Sequence, residues 1–112
     1  MKKFKMSESQ LVNLILEGLA FRNIFAWRSN NTPIFDAGKK CFRKQHRYAA
    51  KGLADICLVF PNGIAGFIEC KVGSNKQTQD QRDFEAKVKK NNGIYILAYK
   101  WEDVEKYINI AR

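Results

Sequence analysis

Two carboxylates and a lysine stand near one another in the middle of this sequence. Asp55 opens the apolar run Ile56-Cys57-Leu58-Val59-Phe60, and Glu69-Cys70-Lys71 closes a second run that starts at Gly66-Phe67-Ile68. Side chains on a strand alternate between faces, so Asp55, Cys57 and Val59 share one face, as do Phe67, Glu69 and Lys71 on the neighbouring strand. Charges on one face of an apolar sheet are costly unless they are paired or bound to metal. Two carboxylates a few ångströms apart repel each other, and a divalent cation removes that penalty. Oxygen ligands select Mg²⁺ or Mn²⁺ over zinc. A lysine beside such an ion stabilises phosphate charge or helps deprotonate an attacking water. These are the parts that phosphodiester hydrolysis needs. The bland alternative is an exposed cross-strand Glu69–Lys71 pair on a half-solvated sheet. A second copy of the tripeptide, Glu85-Ala86-Lys87, falls in a helical segment and reads as a polar helix face.

These three residues need a hairpin and flanking helices to hold them. Pro61-Asn62-Gly63 separates the two apolar runs, and Asn-Gly between apolar runs is a strong hairpin signal. The spacing predicts strands over 55–60 and 66–72. Ser7-Glu8-Ser9-Gln10 has the form of a capping box, and Leu11, Leu14, Ile15, Gly18 and Leu19 recur at helical spacing, which predicts a helix from Glu8 to Arg22. Ile24 to Arg28 reads as a short strand, and Asn30-Asn31-Thr32-Pro33 as a turn. Residues 38–52 show no period and read as a mobile surface loop. Thr78 or Asp80 caps a helix over 78–90 that Asn91-Asn92-Gly93 ends. A strand over 94–99 and a helix over 101–110 follow. A helical crossover between the last two strands makes them parallel. The expected class is therefore α/β, one domain built on a small mixed sheet flanked by helices.

Charge suggests the partner. Twenty Lys and Arg against eleven Asp and Glu leave +9 on 112 residues. The excess lies in two acid-free blocks: Lys2, Lys3 and Lys5, and then Lys39, Lys40, Arg43, Lys44, Arg47 and Lys51. Clustered cations displace counterions from phosphates, so a nucleic acid is the expected partner. A solvated basic loop that keeps the protein soluble is the alternative. An apolar fraction of 46% with eight Phe excludes a disordered chain. No apolar run approaches the roughly 18 residues of a membrane span, and the basic start lacks the apolar core of a signal peptide. Cys41, Cys57 and Cys70 are odd in number and form no C-x-x-C pair, which fits a reducing cytoplasm better than a disulfide framework or zinc knuckle.

Taken in order, Ser7-Glu8-Ser9-Gln10, Ala26-Trp27-Arg28-Ser29-Asn30, the basic 38–51 block, Gly52-Leu53-Ala54-Asp55, Glu69-Cys70-Lys71 and Thr78-Gln79-Asp80-Gln81-Arg82-Asp83-Phe84 form a pattern. It resembles the VRR-NUC (virus-type replication-repair nuclease) family of the PD-(D/E)xK nuclease superfamily over nearly the whole chain. Ala54 stands where that superfamily often has proline. The resemblance implies a restriction-endonuclease-like core and a metal-dependent DNA endonuclease of phage or prophage type, working as a homodimer. It implies that Asp55 and Glu69 ligate Mg²⁺ or Mn²⁺ together with the backbone carbonyl of Cys70. It further implies that Lys71 positions or activates water, that Gln81 orients Lys71 or a scissile phosphate, and that Glu8 reaches the site from the first helix. A Glu at a helix start is equally well explained by the helix dipole, and Gln79 competes with Gln81.

Lesser expectations concern single residues. His46 reads as a phosphate contact or a solvated side chain, Cys57 and Cys70 as small strand hydrophobes, and Trp27 as core. Arg28 is expected to touch substrate or to form a surface salt bridge. The rival to an endonuclease is a non-catalytic basic module that binds DNA or RNA and whose hairpin acids are surface charges.

Overall fold

The computed structural model describes residues 5–29, 35–42 and 50–110. The first helix, α1 (Glu8–Phe21), begins with the expected capping box. The Gln10 N–H donates to Ser7 Oγ at 3.1 Å, and the Ser7 N–H donates to Gln10 Oε1 at 2.8 Å. Strands β1 (Phe25–Arg28), β2 (Phe35–Asp36), β3 (Cys41–Phe42), β4 (Ile56–Val59) and β5 (Ala65–Cys70) follow, then α2 (Gln79–Lys90), β6 (Ile94–Ala98) and α3 (Trp101–Ile110). The main sheet has the order β1-β4-β5-β6. β1 and β5 pair antiparallel with β4, while β5 and β6 run parallel through the α2 crossover. The mixed α/β class read from the sequence is what the chain adopts.

Period-2 alternation decides which face each strand residue buries. Ile56, Leu58, Ile68, Cys70, Ile96 and Ala98 point toward α1 and α3, where they pack with Leu11, Ile15, Leu19, Val104 and Ile108. On the opposite face Phe67 and Tyr95 pack against Phe84 and Val88 of α2. The Phe67 and Phe84 rings meet edge to face with centroids 5.2 Å apart. The turn between β4 and β5 is the three-residue loop expected at Asn62-Gly63. Gly63 takes a φ of 88°, and its N–H donates to the Phe60 carbonyl at 2.8 Å.

Two expectations are corrected. The segment read as a loop from residue 38 contains β3, which pairs with the unforeseen β2 in register Phe35↔Phe42 and Asp36↔Cys41. Two residue pairs are too few to carry a period, and Lys40, at a φ of 52°, helps the chain reverse between them. Trp27, read as core, is 44% exposed. It lies on the α2 side of the sheet, but at the β1–β4 end, whereas the aromatic cluster under α2 is built on β5 and β6. The Asn30–Pro33 turn, Lys2, Lys3, Arg43, Lys44, His46 and Arg47 lie outside the described residues.

Candidate active site

Topology assembles one end of the sheet. In the antiparallel hairpin, the residue before β4 lies beside the end of β5, so Asp55 faces Glu69. The parallel β5–β6 pairing requires the chain to cross over, and α2 therefore begins at the same end. Its first turn brings Asp80 and Gln81 to the carboxylates, and the first turn of α1 brings Glu8. An open cavity of about 600 Å³ results, lined by Glu8, Lys51, Gly52 and Asp55 and by Glu69, Lys71, Asp80 and Gln81.

Asp55 is fixed across the hairpin, because the Cys70 N–H donates to its Oδ2 at 2.9 Å. Glu69 is 3% exposed and Lys71 8%, so the exposed-pair reading of these residues fails. The Lys71 ammonium stands 3.5 Å from Glu69 Oε1, and Gln81 Nε2 donates to the same oxygen at 2.8 Å. Gln81 Oε1 meanwhile accepts the Thr78 N–H at 2.9 Å, completing the capping box of α2. One side chain thus ties the helix start to the buried Glu69 carboxylate. Gln81 is bonded to Glu69, where the resemblance implied Lys71 or a phosphate. Gln79 instead bonds Asp83 and Arg82 on the helix surface, so of the two it is Gln81 that reaches Glu69. Thr78, not Asp80, is the cap.

Glu8 lines the cavity and accepts a 3.4 Å hydrogen bond from Asn75 Nδ2. Among the described residues, no group of three or more His, Cys, Asp or Glu side chains is close enough to hold an ion. Asp55 and Glu69 adjoin each other across the hairpin, and Glu8 and Asp80 line the same cavity. The Cys70 side chain faces the core, where burial foremost pushes its thiol up to about 12, so it offers no thiolate. What is left for an ion at Cys70 is the backbone.

Among the described residues, Glu69 Oε2 is buried with no hydrogen-bond partner. Burial, then the charge of Asp55, raise the Glu69 carboxyl from 4.5 to about 7, against the opposing pull of Lys71. An orphaned carboxylate oxygen beside a second carboxylate is the donor set that a hard cation fits. Mg²⁺ in particular is held by one or two carboxylates and keeps several waters. The titration has a consequence for stability. Between pH 4.5 and 7 the folded protein holds a proton on Glu69 that the unfolded chain has lost, so folding stability falls as pH rises through that window. In EDTA, the Tm contribution of Glu69 should decline from pH 5 to 7.5. Glu69→Gln should flatten that part of the profile, and Mn²⁺ should raise Tm most above pH 7. A wild-type profile that matches Glu69→Gln in EDTA would refute this account.

Three residues gain a place that sequence reasoning did not give them. Lys51, assigned to the basic block, lines the cavity itself, and Asp80 joins Glu8, Asp55 and Glu69 as a fourth acid in its wall. Asn75 holds Glu8. The signal for Asp80 was present in its position: a helix that follows a crossover must start where the preceding strand ends. Lys39 and Lys40 are exposed in the β2–β3 turn and are not among the described cavity residues.

Comparison with known proteins adds no identity: no family model matches the chain, and no curated protein or solved structure matches it. Among the described residues, no helix is long and apolar enough to cross a membrane.

Proposed function

We propose that the protein is a divalent-metal-dependent DNA endonuclease of the PD-(D/E)xK type, with the restriction-endonuclease-like core and VRR-NUC character that its motif order resembles. The observation that carries this reading is the half-buried Asp55 beside the buried Glu69 and Lys71, with the orphaned Glu69 oxygen. Bound Mg²⁺ or Mn²⁺ would neutralise phosphate charge and lower the pKa of the attacking water. The chain's own residues supply the rest. Asp55, fixed by the Cys70 N–H, and Glu69, fixed by Gln81, present their oxygens without rearrangement. In this reading Lys71 places a positive charge beside the scissile phosphate, and Lys51 adds a second in the cavity lining. Base-edge readout has no identifiable element here, so recognition rests on the backbone and the structure of the DNA. In this reading the protein acts as a homodimer, whose symmetry presents two sites to two strands, in the reducing cytoplasm of a bacterial host.

Purified protein with Mn²⁺ should nick supercoiled plasmid, and EDTA should stop it. Tight duplex binding without any cutting in Mn²⁺ or Mg²⁺ would replace the enzyme by the non-catalytic nucleic-acid-binding module. The basic block has its own signature. Replacing Lys39, Lys40, Arg43 and Lys44 with Gln should weaken duplex binding about 10-fold or more near 150 mM salt and reduce the slope of log K against log salt by up to about four. The Mn²⁺-induced Tm shift should be unchanged. A variant with the wild-type salt slope would remove these residues from the interface.

A further inference from the structure

The sheet face that carries Asp55 and Glu69 continues onto β1, whose Phe25 and Trp27 are exposed. The Ser29 N–H donates to the Asp55 carbonyl at 2.8 Å, Trp27 lies opposite Cys57, and Phe25 lies opposite Val59. Alternation then puts Phe25, Trp27 and Ser29 on the face of Val59, Cys57 and Asp55. The hydrogen bond between the Ser29 and Cys57 side chains fits the same assignment. Strand spacing and rise put Trp27 about 8 Å from Asp55, backbone to backbone. Trp27 is 44% exposed and Phe25 70%, and their ring centroids are 5.0 Å apart at an interplanar angle of 40°. Two large rings left in water beside a polar cavity mark a binding surface more than a packing defect.

Charge and ring chemistry together choose the occupant. A second copy of this chain would bring a further +9, so charge favours a polyanion on this face and leaves the homodimer proposed above to another surface. A polyanion would be attracted by the chain's +9, with Lys51 on the adjoining cavity wall. Bases of an intact duplex are already stacked on one another and offer their faces to no side chain. Unpaired bases do offer them, and stacking on aromatic rings is tolerant of sequence.

We propose that Trp27 and Phe25 form a stacking platform for unpaired nucleobases next to the scissile phosphate, so that the site selects DNA with single-stranded or unpaired character over intact duplex. This deepens the endonuclease reading and rests on it for the phosphate's position.

The test is binding in EDTA, which does not depend on cleavage. Fluorescence anisotropy would compare a labelled single-stranded oligodeoxynucleotide with a fully paired duplex of the same length. The Trp27→Ala/Phe25→Ala double variant should lose about 5- to 100-fold on the single strand and no more than about twofold on the duplex. Trp27→Phe should retain most of the single-strand affinity, which controls for misfolding. Unchanged single-strand affinity, or an equal loss on both probes, overturns the platform. So does a wild-type dimer in sedimentation that the double variant converts to monomer, because the rings would then be covered by a second copy. Wild-type protein that shows the single-strand differential but never nicks plasmid in Mn²⁺ keeps the platform and discards the endonuclease.

Discussion

Asp55→Asn is expected to lower single-turnover plasmid nicking by about 10³-fold at saturating Mn²⁺ while leaving the fold intact. The argument separates two jobs of one carboxylate. As a hydrogen-bond acceptor, Oδ2 satisfies the Cys70 N–H at 2.9 Å and keeps the hairpin end closed. An asparagine carbonyl can do the same, so the melting temperature in EDTA should stay within a few degrees of wild type. As a charge, Asp55 acts on Glu69, and in the proposed reading the two carboxylates together make a cation site, which asparagine would not. Loss of a catalytic ion removes several kcal/mol of charge stabilisation from the transition state, and about 1.4 kcal/mol corresponds to each factor of ten. The Mn²⁺-induced rise in Tm should vanish together with the nicking. Asp55→Ala should lose the same activity and also melt lower, because it strands a backbone donor. A variant Asp55→Asn that keeps both the Mn²⁺ shift and the cleavage would remove Asp55 from the site.

The contrast between what the sequence revealed and what it hid follows the range of the interactions. α1, the β4–β5 hairpin, α2, β6 and α3 each carry their signal within a dozen residues. Capping boxes at Ser7–Gln10 and Thr78–Gln81, and the Asn62-Gly63 turn, are local chemistry, and they appear where their spacing predicts. The pairing of Asp55 with Glu69 was legible for the same reason, since a hairpin and its alternation fix which residues face each other. Features that depend on which element covers which were not legible. Trp27 has a core-forming side chain, yet it is exposed because the helix on its face packs at the other end of the sheet. The second bond of Gln81, to Glu69, joins residues twelve apart through the crossover, and the capping pattern alone does not imply it. Strands of two residues, as in β2 and β3, have no period to read.

Gly52→Ala is expected to be the most damaging single change outside the carboxylates, and comparison with Gly63→Ala isolates the reason. Both glycines have left-handed backbones, with φ of 69° and 88°. A Cβ at that conformation costs on the order of 1–2 kcal/mol. Around Gly63 nothing lies within 4 Å of the added carbon, so that cost is the whole effect. At Gly52 the added carbon would overlap the Asp80 carbonyl and stand 2.6 Å from the Gln81 nitrogen. These are backbone atoms in the first turn of α2 and cannot rotate away. The loop that leads to Asp55 must therefore separate from the helix start that carries Gln81, and Gln81 is what holds Glu69. Gly52→Ala should thus lower Tm by about 10 °C or more, about twice the drop in Gly63→Ala. Well below its Tm it should still nick at least about 10-fold more slowly than wild type, whereas Gly63→Ala should nick normally. Equal melting and equal activity of the two variants would show that the contact between the Gly52 loop and α2 does not position the site.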